Sequence, residues 1–470
     1  MCGIVGYTGN AQAKGIIIEG LKKLEYRGYD SAGIALQSSN TIVVRKKQGK
    51  IADLEGLIKG EKLTGTTGIG HTRWATHGAP SDLNAHPHIS SDGEIAVVHN
   101  GIVENYVELR NKLSEENGIE FQTETDTEVI AKLIGILHGK NGGNLEDAVY
   151  EAVKEMTGAY AIGVVSSNEK DKIVAYRKDA PLIAGVGKDC KFIASDIPAL
   201  LKYVNDIYLI ENDEMVVCTP DEIKIYDSSR KPVKRELMKV NWSIEDAEKG
   251  GYEHFMLKEI YEQPKAVEET LLRRIDEEGR IKLDGISLTA EDVKNFSKVY
   301  IVACGTAYHA GMVGKYVIEK MARIPVEIDV ASEFRYRNPV MDEKTLFIAI
   351  SQSGETLDTL AALREAKSHG ARVLSICNVV GSSVARESDD VFYTWAGPEI
   401  AVASTKAYTT QLVCMYLIGL YLADLTGTIS KEYYDNIIQE LMAMPAKIDE
   451  ILKKSNEIRK LAERLYNRTQ

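Results

Sequence analysis

The spacing of apolar residues changes about halfway along the chain. In the first half, short apolar runs bounded by Gly, Asn, Asp or Ser predict strands, and apolar positions recurring every three to four residues predict helices. The predicted strands are 2–7, 32–36, 41–47, 95–99, 161–165 and 173–177. The predicted helices are 11–25, 106–112, 126–137 and 145–156. This mixture favours sheets sandwiched by helices.

In the second half, apolar strands alternate with helices. The predicted strands are 299–303, 326–330, 346–350, 373–377 and 391–395. Helices are predicted near 308–321, 356–369 and 382–388. Strands buried on both faces and separated by helices are typical of a doubly wound parallel sheet. Beyond residue 404 the pattern is helical, over 404–424 and then 431–470, with Pro445 as the candidate break.

A polar, charged segment separates the two patterns. It covers residues 227–241 and continues in the same character to 251. We therefore predict a first domain at 2–240, a linker at 241–255, a second domain at 256–430 and a helical segment at 431–470.

Composition narrows the class of protein. The chain has 470 residues, of which 44% are hydrophobic and 27% charged, as in a soluble globular protein of two or three domains. A net charge of -12 without any block of Lys and Arg argues against binding nucleic acid. The six cysteines are scattered, which is typical of a reduced intracellular protein.

Membrane insertion is not predicted either. No charged segment precedes a short apolar run at the start of the chain, so a signal peptide is not expected. The longest apolar stretch, 412–423, is shorter than the roughly 20 residues that cross a bilayer. We expect a cytoplasmic protein in which this stretch is a buried helix.

Cys2 is the candidate nucleophile. Removal of Met1 leaves a thiol and a free α-amine on one residue. Because the ordinary pKa of that amine is about 8, it can accept the thiol proton near neutral pH. This arrangement is typical of N-terminal-nucleophile enzymes, although a cysteine at an arbitrary position is usually a buried strand residue.

Three polar clusters offer the groups that hydrolysis of a glutamine carboxamide requires. The clusters are His71–Gly78, His99–Gly101 and Glu124–Glu128. The Arg73 guanidinium suits the α-carboxylate, and Asp126, at the start of a predicted helix, suits the α-ammonium. The Asn100 side-chain amide and the Gly101 main-chain N–H suit the tetrahedral oxyanion.

These residues also have structural interpretations. Asp126 alone would more often be a helix cap, and Asn100-Gly101 between apolar runs is typical of a hairpin turn. Four histidines offer nitrogen ligands for a metal: His71, His77, His86 and His88. Because no partner cluster has the usual ligand spacing, we predict no metal and no organic cofactor.

Two predicted strands lead into helices through hydroxyl-rich turns. Thr306 lies in the first turn, and Ser351–Thr356 forms the second. A helix N-terminus with hydroxyl groups binds phosphate without Lys or Arg, and doubly wound sheets bind ligands at the carboxyl ends of their strands. Neither turn is a Walker A motif, and no G-x-G-x-x-G follows a strand. For one turn alone, a simple N-cap is an equal alternative.

Together these motifs resemble a known family. Cys2–Gly6, Leu24–Gly33, His71–Gly78 and His99–Gly101, in this order, resemble the class II glutamine amidotransferases, and more narrowly the glutamine–fructose-6-phosphate aminotransferases. Ser351–Thr356 resembles the phosphate loop of that family's sugar-isomerase (SIS) domains. The resemblance implies an N-terminal-nucleophile αββα sandwich, then a doubly wound five-stranded parallel-sheet SIS lobe and C-terminal helices.

The resemblance also implies residue roles. Cys2 would be the nucleophile and, through its amine, the base. The residues that would hold glutamine are Arg73, Thr76, His77, Gly101 and Asp126. Trp74 would gate an ammonia passage, and Arg27 would stiffen the loop that closes over glutamine. The residues that would bind the sugar phosphate are Thr306, Ser351, Gln352, Ser353, Thr356, Val402 and Ser404. Ala307 stands where related chains can carry serine.

By the same resemblance, a homodimer would convert fructose 6-phosphate and glutamine into glucosamine 6-phosphate and glutamate. The family's second lobe and tail supply a glutamate, a histidine and a lysine to which no residue before Gln470 corresponds. We therefore expect a fragment or a short form with possible glutaminase activity and impaired sugar amination. We also expect the helix at 404–424 to expose apolar surface.

Two rival functions follow from the residues. A phosphoribosyl-type amidotransferase would carry an acidic pair at a strand end, which the second half lacks. The other rival is a regulatory protein that responds to sugar phosphate through an inactive glutaminase. The intact set of Cys2, Arg73, Asn100 and Asp126 argues against it.

Overall fold

The computed structural model describes residues 2–75, 77–240, 249–272, 274–276 and 279–468. The chain divides into two compact units, Met1–Ala247 and Glu248–Gln470. Of the predicted linker at 241–255, residues 241–248 lie outside the described residues.

The first unit alternates helices with two sets of strands. Its helices are α1 (Ala13–Leu24), α2 (Ile51–Leu57), α3 (Tyr106–Asn117), α4 (Asp126–Lys140) and α5 (Leu145–Glu155). Its strands are β1 (Gly3–Gly9), β2 (Ser31–Ser38), β3 (Thr41–Gln48), β4 (Thr67–Arg73), β5 (His88–Ile89), β6 (Ile95–Val103), β7 (Gly158–Ser166), β8 (Ile173–Lys178), β9 (Ile183–Val186), β10 (Cys190–Ala194), β11 (Asp206–Leu209), β12 (Glu214–Cys218), β13 (Ile223–Tyr226) and β14 (Met238–Lys239).

These elements form four layers. One sheet has the order β14-β11-β9-β10-β1-β4-β2-β3, and the other has the order β13-β12-β8-β7-β6-β5. The two sheets share a buried apolar core that includes Ile4, Ile69 and Val98. Helix α1 packs on β1 and β4, whereas α4 and α5 pack on β6 and β8. The predicted αββα sandwich is confirmed.

Strand register determines which residues meet at one end of this sandwich. Strand β1 runs antiparallel to β4 with Gly3 opposite Thr72, and β4 runs antiparallel to β2 with Arg73 opposite Ser31. Cys2, which immediately precedes β1, therefore lies beside the end of β4. Contacts between β4 and β6 bring the second sheet to the same region.

One interpretation for this unit is wrong. Asn100-Gly101 is not a hairpin turn, because β6 continues through both residues and pairs with β7 as far as Val103 opposite Gly158. The polar segment before the predicted linker contributes a short strand, since Met238–Lys239 pairs with β11 at the edge of the first sheet.

The second unit is an α/β lobe followed by long helices. Its strands are β15 (Lys298–Ala303), β16 (Val326–Val330), β17 (Thr345–Ser351), β18 (Arg372–Cys377) and β19 (Asp390–Tyr393). Its helices are α6 (Phe255–Leu272), α7 (Ala290–Asn295), α8 (Gly305–Met321), α9 (Ala331–Phe334), α10 (Leu357–Ser368), α11 (Ser383–Glu387), α12 (Lys406–Thr426), α13 (Lys431–Leu452) and α14 (Ser455–Leu465).

The five strands form the predicted doubly wound sheet. Their order is β16-β15-β17-β18-β19, and every neighbouring pair is parallel. One apolar core packs α8 and α12 on one face, and a second packs α9, α10 and α11 on the other. The strand order reverses between β15 and β17, which is where such sheets form a ligand-binding crevice.

The long helices differ from the prediction in two respects. Helix α12 is long and apolar enough to cross a membrane, but 61% of its most apolar window is buried inside the unit. It packs on α8 and α6 as a core helix, so the expectation that it exposes a broad apolar surface is wrong. Pro445 does not break α13, which continues to Leu452; the break comes at residues 453–454.

Candidate active site

The main chain of Cys2 is held by two side chains. Asn100 Nδ2 and Arg27 Nε each donate to the Cys2 carbonyl oxygen, both at 3.1 Å. The Trp74 N–H donates to Cys2 Sγ at 3.2 Å, and Sγ lies 3.5 Å from the Trp74 carbonyl oxygen. Cys2 is therefore held by contacts from three separate segments of the first unit, of which only Trp74 contacts the sulfur.

The local environment keeps the Cys2 sulfur protonated. Burial raises the pKa of the Cys2 thiol, and the Trp74 N–H and the charges of Arg73 and Arg27 only partly oppose that rise. A thiol with a raised pKa is a weak nucleophile at neutral pH, because the thiolate is the reactive form. The site therefore requires a base next to the sulfur.

Arg27 is anchored on its far side by a carboxylate. Its Nη1 lies 2.7 Å from Asp196 Oδ2, and the Tyr26 hydroxyl donates to the same oxygen at 2.5 Å. The Arg27 side chain is only 7% exposed. Arg27 therefore connects the Cys2 carbonyl to a partly exposed carboxylate, a contact that the prediction of a loop-stiffening role did not include.

Arg73 offers a buried, unused donor. One terminal nitrogen, Nη2, donates to the carbonyl oxygens of His77 and Gly78. The other, Nη1, is buried without a hydrogen-bond partner among the described residues. Because an unpaired buried donor is costly, this nitrogen is suited to an incoming carboxylate.

Asp126 is the first residue of α4 but does not cap it. The cap is Thr125, whose hydroxyl accepts the Glu128 N–H at 3.3 Å. Asp126 Oδ2 instead accepts the Val103 N–H at 3.0 Å, and its Oδ1 lies 3.7 Å from His99 Nδ1. The interpretation of Asp126 as only a helix cap is wrong.

Gly101 occupies a strand position that other residues cannot adopt. Its φ is +110°, and a Cβ at this position would lie 2.0 Å from the Ala159 carbonyl oxygen. Asn100 immediately precedes it in β6, so the candidate oxyanion donors are adjacent in one strand.

The remaining glutamine-site candidates lie around the end of β4. The His77 ring packs edge-on against Tyr106 at 5.3 Å, and its Nδ1 is buried without a hydrogen-bond partner among the described residues. Trp74 is 45% exposed and meets Tyr29 in a T-shaped contact at 5.2 Å. Thr76 lies outside the described residues.

Sequence reasoning missed two carboxylates of this site. Asp30 Oδ2 accepts the Ala75 N–H at 2.5 Å, which fixes the chain directly after Trp74. Asp30 was visible in the Arg-Gly-Tyr-Asp motif but was given no role. Asp196 carried no signal, because it is 169 residues distant from Arg27 in sequence.

Four buried histidines lie behind the candidate oxyanion donors: His71, His86, His88 and His99. The His86 ring lies 4.2 Å from that of His71 and 5.0 Å from that of His88. Burial lowers the pKa of all four, that of His71 to about 3, so they are neutral. Within the described ranges, no three His, Cys, Asp or Glu side chains are arranged to hold a metal.

In the second unit, the loop after β17 is organised by its own hydroxyl groups. Ser351 Oγ lies 3.1 Å from Thr356 Oγ1 and accepts the Gly354 N–H at 3.0 Å. Ser353 Oγ accepts the Glu355 N–H at 3.2 Å. Gly354 has a φ of +64°. The loop thus curls its main chain around serine hydroxyls at the start of α10.

The helix that follows each turn begins without a side-chain cap. Thr356 precedes α10 and Cys304 precedes α8, and neither side chain makes a capping hydrogen bond. Thr306 lies inside the first turn of α8 and is exposed. The interpretation of Thr356 as a simple N-cap is therefore wrong, and both helix N-termini remain available to an anion.

The segment after β19 is connected to the Ser351–Thr356 loop through Asn378. Asn378 N–H donates to the Gln352 carbonyl at 3.0 Å, and Asn378 Nδ2 donates to the Gly397 carbonyl at 2.7 Å. Val402 is 77% exposed, and Ser404 donates to Glu399 at 3.0 Å. Asn378 was not predicted from sequence.

Two family descriptions match the chain. The family described as a glutamine amidotransferase domain matches residues 71–202, and the SIS domain matches residues 294–420. Each match lies within one of the two units.

Curated relatives match over nearly the whole chain. Glutamine–fructose-6-phosphate aminotransferases [isomerizing] from Clostridium acetobutylicum and Clostridium tetani are each 56% identical over 99% of this chain and 76% of their own length. The chain belongs to the glutamine–fructose-6-phosphate aminotransferase family. A further relative of the same name, from Caldanaerobacter subterraneus, is 54% identical over 99% of this chain and 76% of its own length.

Membership of the aminotransferase family confirms the predicted enzyme class. It excludes the alternative that the chain is a phosphoribosyl-type amidotransferase. The family's glutamine amidotransferase and SIS domains are both present. The chain spans 76% of the length of the relatives it matches.

Proposed function

We propose that this chain uses glutamine to convert fructose 6-phosphate into glucosamine 6-phosphate, with glutamate as the second product. The names of the curated relatives support this reaction. The proposed domains are a glutaminase at 2–240, an SIS lobe at 256–430 and a helical segment at 431–470. The observation that carries the glutaminase assignment is the convergence of Cys2, Asn100 and the unpartnered Nη1 of Arg73 at one end of the sandwich.

The glutamine backbone would bind between opposite charges. Arg73 Nη1 would donate to the α-carboxylate, which satisfies its unused hydrogen-bonding capacity. Asp126 would accept from the α-ammonium, and Thr76 and His77 would complete the pocket. Burial of Arg73, which is 3% exposed, strengthens its attraction to a carboxylate that displaces water.

The reaction would begin with proton transfer within Cys2. The α-amine, freed by removal of Met1, takes the thiol proton, and the sulfur attacks the carboxamide carbon. Asn100 Nδ2–H and the Gly101 N–H stabilise the oxyanion, and the protonated amine returns its proton to the leaving ammonia. In the second half, the amine takes a proton from water, the hydroxide attacks the thioester carbon and the C–S bond breaks. The sulfur recovers the proton from the amine, which yields glutamate and the free thiol.

Trp74 and Arg27 would act around the reacting atoms. The Trp74 and Tyr29 rings are both exposed and in contact, and this pair would cover the passage by which ammonia leaves. Arg27 holds the Cys2 carbonyl, and so it supports both the nucleophile and the loop near it.

The sugar phosphate would bind at the two helix N-termini of the SIS lobe. Ser351, Ser353 and Thr356 offer hydroxyl groups there, and Gln352 lies in the same loop. Thr306 would contact the ligand from α8 across the β15–β17 crevice. Val402 and Ser404 would line the sugar, at the end of the segment that Asn378 ties to this loop.

The glutaminase assignment is tested by release of glutamate from glutamine. We expect Cys2→Ala to reduce kcat by at least about 1000-fold, because the nucleophile is lost. The matched control is Cys190→Ala, at a half-buried cysteine in β10, and it should retain wild-type kcat. Equal rates in wild type and Cys2→Ala would exclude the assignment.

The sugar-phosphate assignment is tested by thermal protection. Fructose 6-phosphate should raise the melting temperature of the wild type but not of Ser353→Glu, whose carboxylate would repel the phosphate. Ser368→Glu, at an exposed position at the far end of α10, is the matched control. If Ser353→Glu is protected as strongly as this control, the loop does not bind the phosphate.

Two alternatives are distinguished by the products. Glutamate with no glucosamine 6-phosphate would indicate a glutaminase-only form, and neither product would indicate a regulatory protein. We also propose a cytoplasmic homodimer that binds neither nucleic acid nor membrane; the described cysteines are all free thiols, as expected in a reducing compartment. Sedimentation equilibrium of the purified chain tests the dimer.

A further inference from the structure

His71 lies directly behind the side chain assigned to oxyanion binding. Its Nε2 is 2.9 Å from the His99 carbonyl oxygen and 3.1 Å from Asn100 Oδ1. A carbonyl oxygen can only accept, so Nε2 carries the imidazole proton. Because burial lowers the pKa of His71 to about 3, the ring is neutral and Nε2–H is its single donor.

The neighbours of Asn100 distinguish between the two orientations of its amide. With Oδ1 towards His71, Nδ2 faces the Cys2 carbonyl oxygen at 3.1 Å. In the reversed orientation, the amide N–H of Asn100 would face the His71 Nε2–H, and its oxygen would face the Cys2 carbonyl oxygen. Reversal would therefore replace two hydrogen bonds with two repulsive contacts.

We propose that His71 is a positioning residue of the glutaminase: its Nε2–H holds Asn100 Oδ1, which keeps the Nδ2 hydrogens on the nucleophile's side of the amide. The inference rests on the proposed glutaminase function. His71 does not contact glutamine in this mechanism and acts only through Asn100.

The His71 ring is itself held in place. The His86 ring packs against it at 4.2 Å, and His86 Nε2 lies 3.1 Å from the Thr127 hydroxyl, which also lies 2.9 Å from His99 Nδ1. The histidine cluster thus gives the Asn100 amide a rigid support from the core between sheet and helix. A rigid, prearranged donor is what stabilisation of developing charge requires.

Three substitutions at one position test the proposal. His71→Leu removes the donor, and His71→Asn is too short to place an N–H at the Nε2 position. Loss of a complete oxyanion donor costs about 100- to 1000-fold; because the Cys2 carbonyl still favours the correct orientation, we expect kcat to fall about 10- to 100-fold in both variants. KM for glutamine should stay within about threefold. His71→Gln, which reaches the Nε2 position with an N–H, should recover most of kcat.

Alkylation of Cys2 by iodoacetamide separates positioning from general damage. This displacement requires the thiolate but no oxyanion donor, so the rate measured on the Cys2 peptide by mass spectrometry should remain within about twofold of wild type in all three variants. The matched control is His88→Leu, in the same buried cluster but bonded to Thr125 and not to Asn100. It should retain kcat. If His88→Leu loses kcat equally, or alkylation falls in parallel with kcat, the role of His71 is structural only.

A double substitution gives the decisive comparison. In an Asn100→Ala background, His71→Leu should change kcat by less than about twofold, because the amide through which it acts is absent. Independent, multiplicative losses would overturn the proposal. If the wild type released no glutamate, or Cys2→Ala matched it, the glutaminase function itself would fail; if those two behave as proposed and His71→Leu retains full kcat, only the role of His71 fails.

Discussion

Arg27 connects the Cys2 carbonyl oxygen to the Asp196 carboxylate, at 3.1 Å on one side and 2.7 Å on the other. We predict that Arg27→Met lowers the free energy of unfolding by about 2 kcal/mol, because it removes both the ion pair with the partly exposed Asp196 carboxylate and the hydrogen bond to the Cys2 carbonyl oxygen. It should also lower kcat for glutamine hydrolysis. Urea denaturation and glutamate release measure the two effects.

The control for this variant is Tyr26→Phe. It removes only the hydroxyl that donates to Asp196, so a loss of about 1 kcal/mol is expected. If Arg27→Met were no less stable than Tyr26→Phe, the ion pair would not be what supports Cys2.

Gly101 should not tolerate a side chain. Gly101→Ala would place a Cβ 2.0 Å from the Ala159 carbonyl oxygen at a φ of +110°, so we expect a loss of about 3 kcal/mol in unfolding free energy and of most glutaminase activity. Gly139→Ala, in α4 with nothing within 4 Å, is the control and should stabilise the chain by about 1 kcal/mol or less. Similar urea midpoints for the two variants would contradict this account.

The pH dependence of Cys2 reactivity should differ between a chain that retains Met1 and one from which Met1 has been removed. Burial raises the pKa of the thiol, so in a chain that retains Met1 behind an N-terminal extension, the thiolate fraction stays small at neutral pH. Its alkylation by iodoacetamide should then rise about tenfold per pH unit between about pH 7 and pH 9. A plateau below about pH 8 in this form would show that the thiol is already ionised.

The mature chain provides the comparison. Its free α-amine has an ordinary pKa of about 8 and can accept the thiol proton, so glutaminase activity should be present only in this form. Activity of the extended chain equal to that of the mature chain would exclude the amine as the base.

The buried histidines should make the first unit sensitive to acid. Burial lowers the pKa of His86 well below its ordinary value, so the unfolded chain binds a proton below about pH 6.5 while the folded chain does not. Each such histidine makes the unfolding free energy fall by about 1.4 kcal/mol per pH unit as the pH drops. His86→Phe should flatten the pH dependence of urea unfolding by about that slope. His254→Gln, at a side chain 71% exposed, should leave it unchanged.

Apolar periodicity predicted all five described strands of the second unit but only six of the fourteen described strands of the first. The three central strands of the parallel sheet are buried along nearly their whole length, and all five strands were located to within about two residues. Strand β4 was missed because its sequence, Thr67–Arg73, contains two glycines and four polar residues. Glycine is required in β4 because neighbouring side chains leave no room for a Cβ; at Gly70 it would lie 2.4 Å from the Ile17 side chain. Such packing is invisible to a single sequence.

The candidate site was predicted as a set of residue types but not as a set of contacts. Charge and position suggested Arg73 and Asp126, and motif order suggested Asn100. The residues that hold the site together, such as Asp196 beside Arg27 and His71 beside Asn100, are recognised only when segments distant in sequence are brought together. The predicted helix break at Pro445 was wrong because the prediction used local sequence alone. A half-exposed helix can contain a proline at which a local rule would end the helix.

The Asn100 and Arg27 contacts end on the peptide oxygen of residue 2 and not on its side chain. The position of residue 2 is therefore set by its main chain, independently of which side chain it carries. A serine or a selenocysteine at position 2 would keep the same main-chain contacts. Exchanging the reacting atom would therefore test its intrinsic reactivity without a change in geometry.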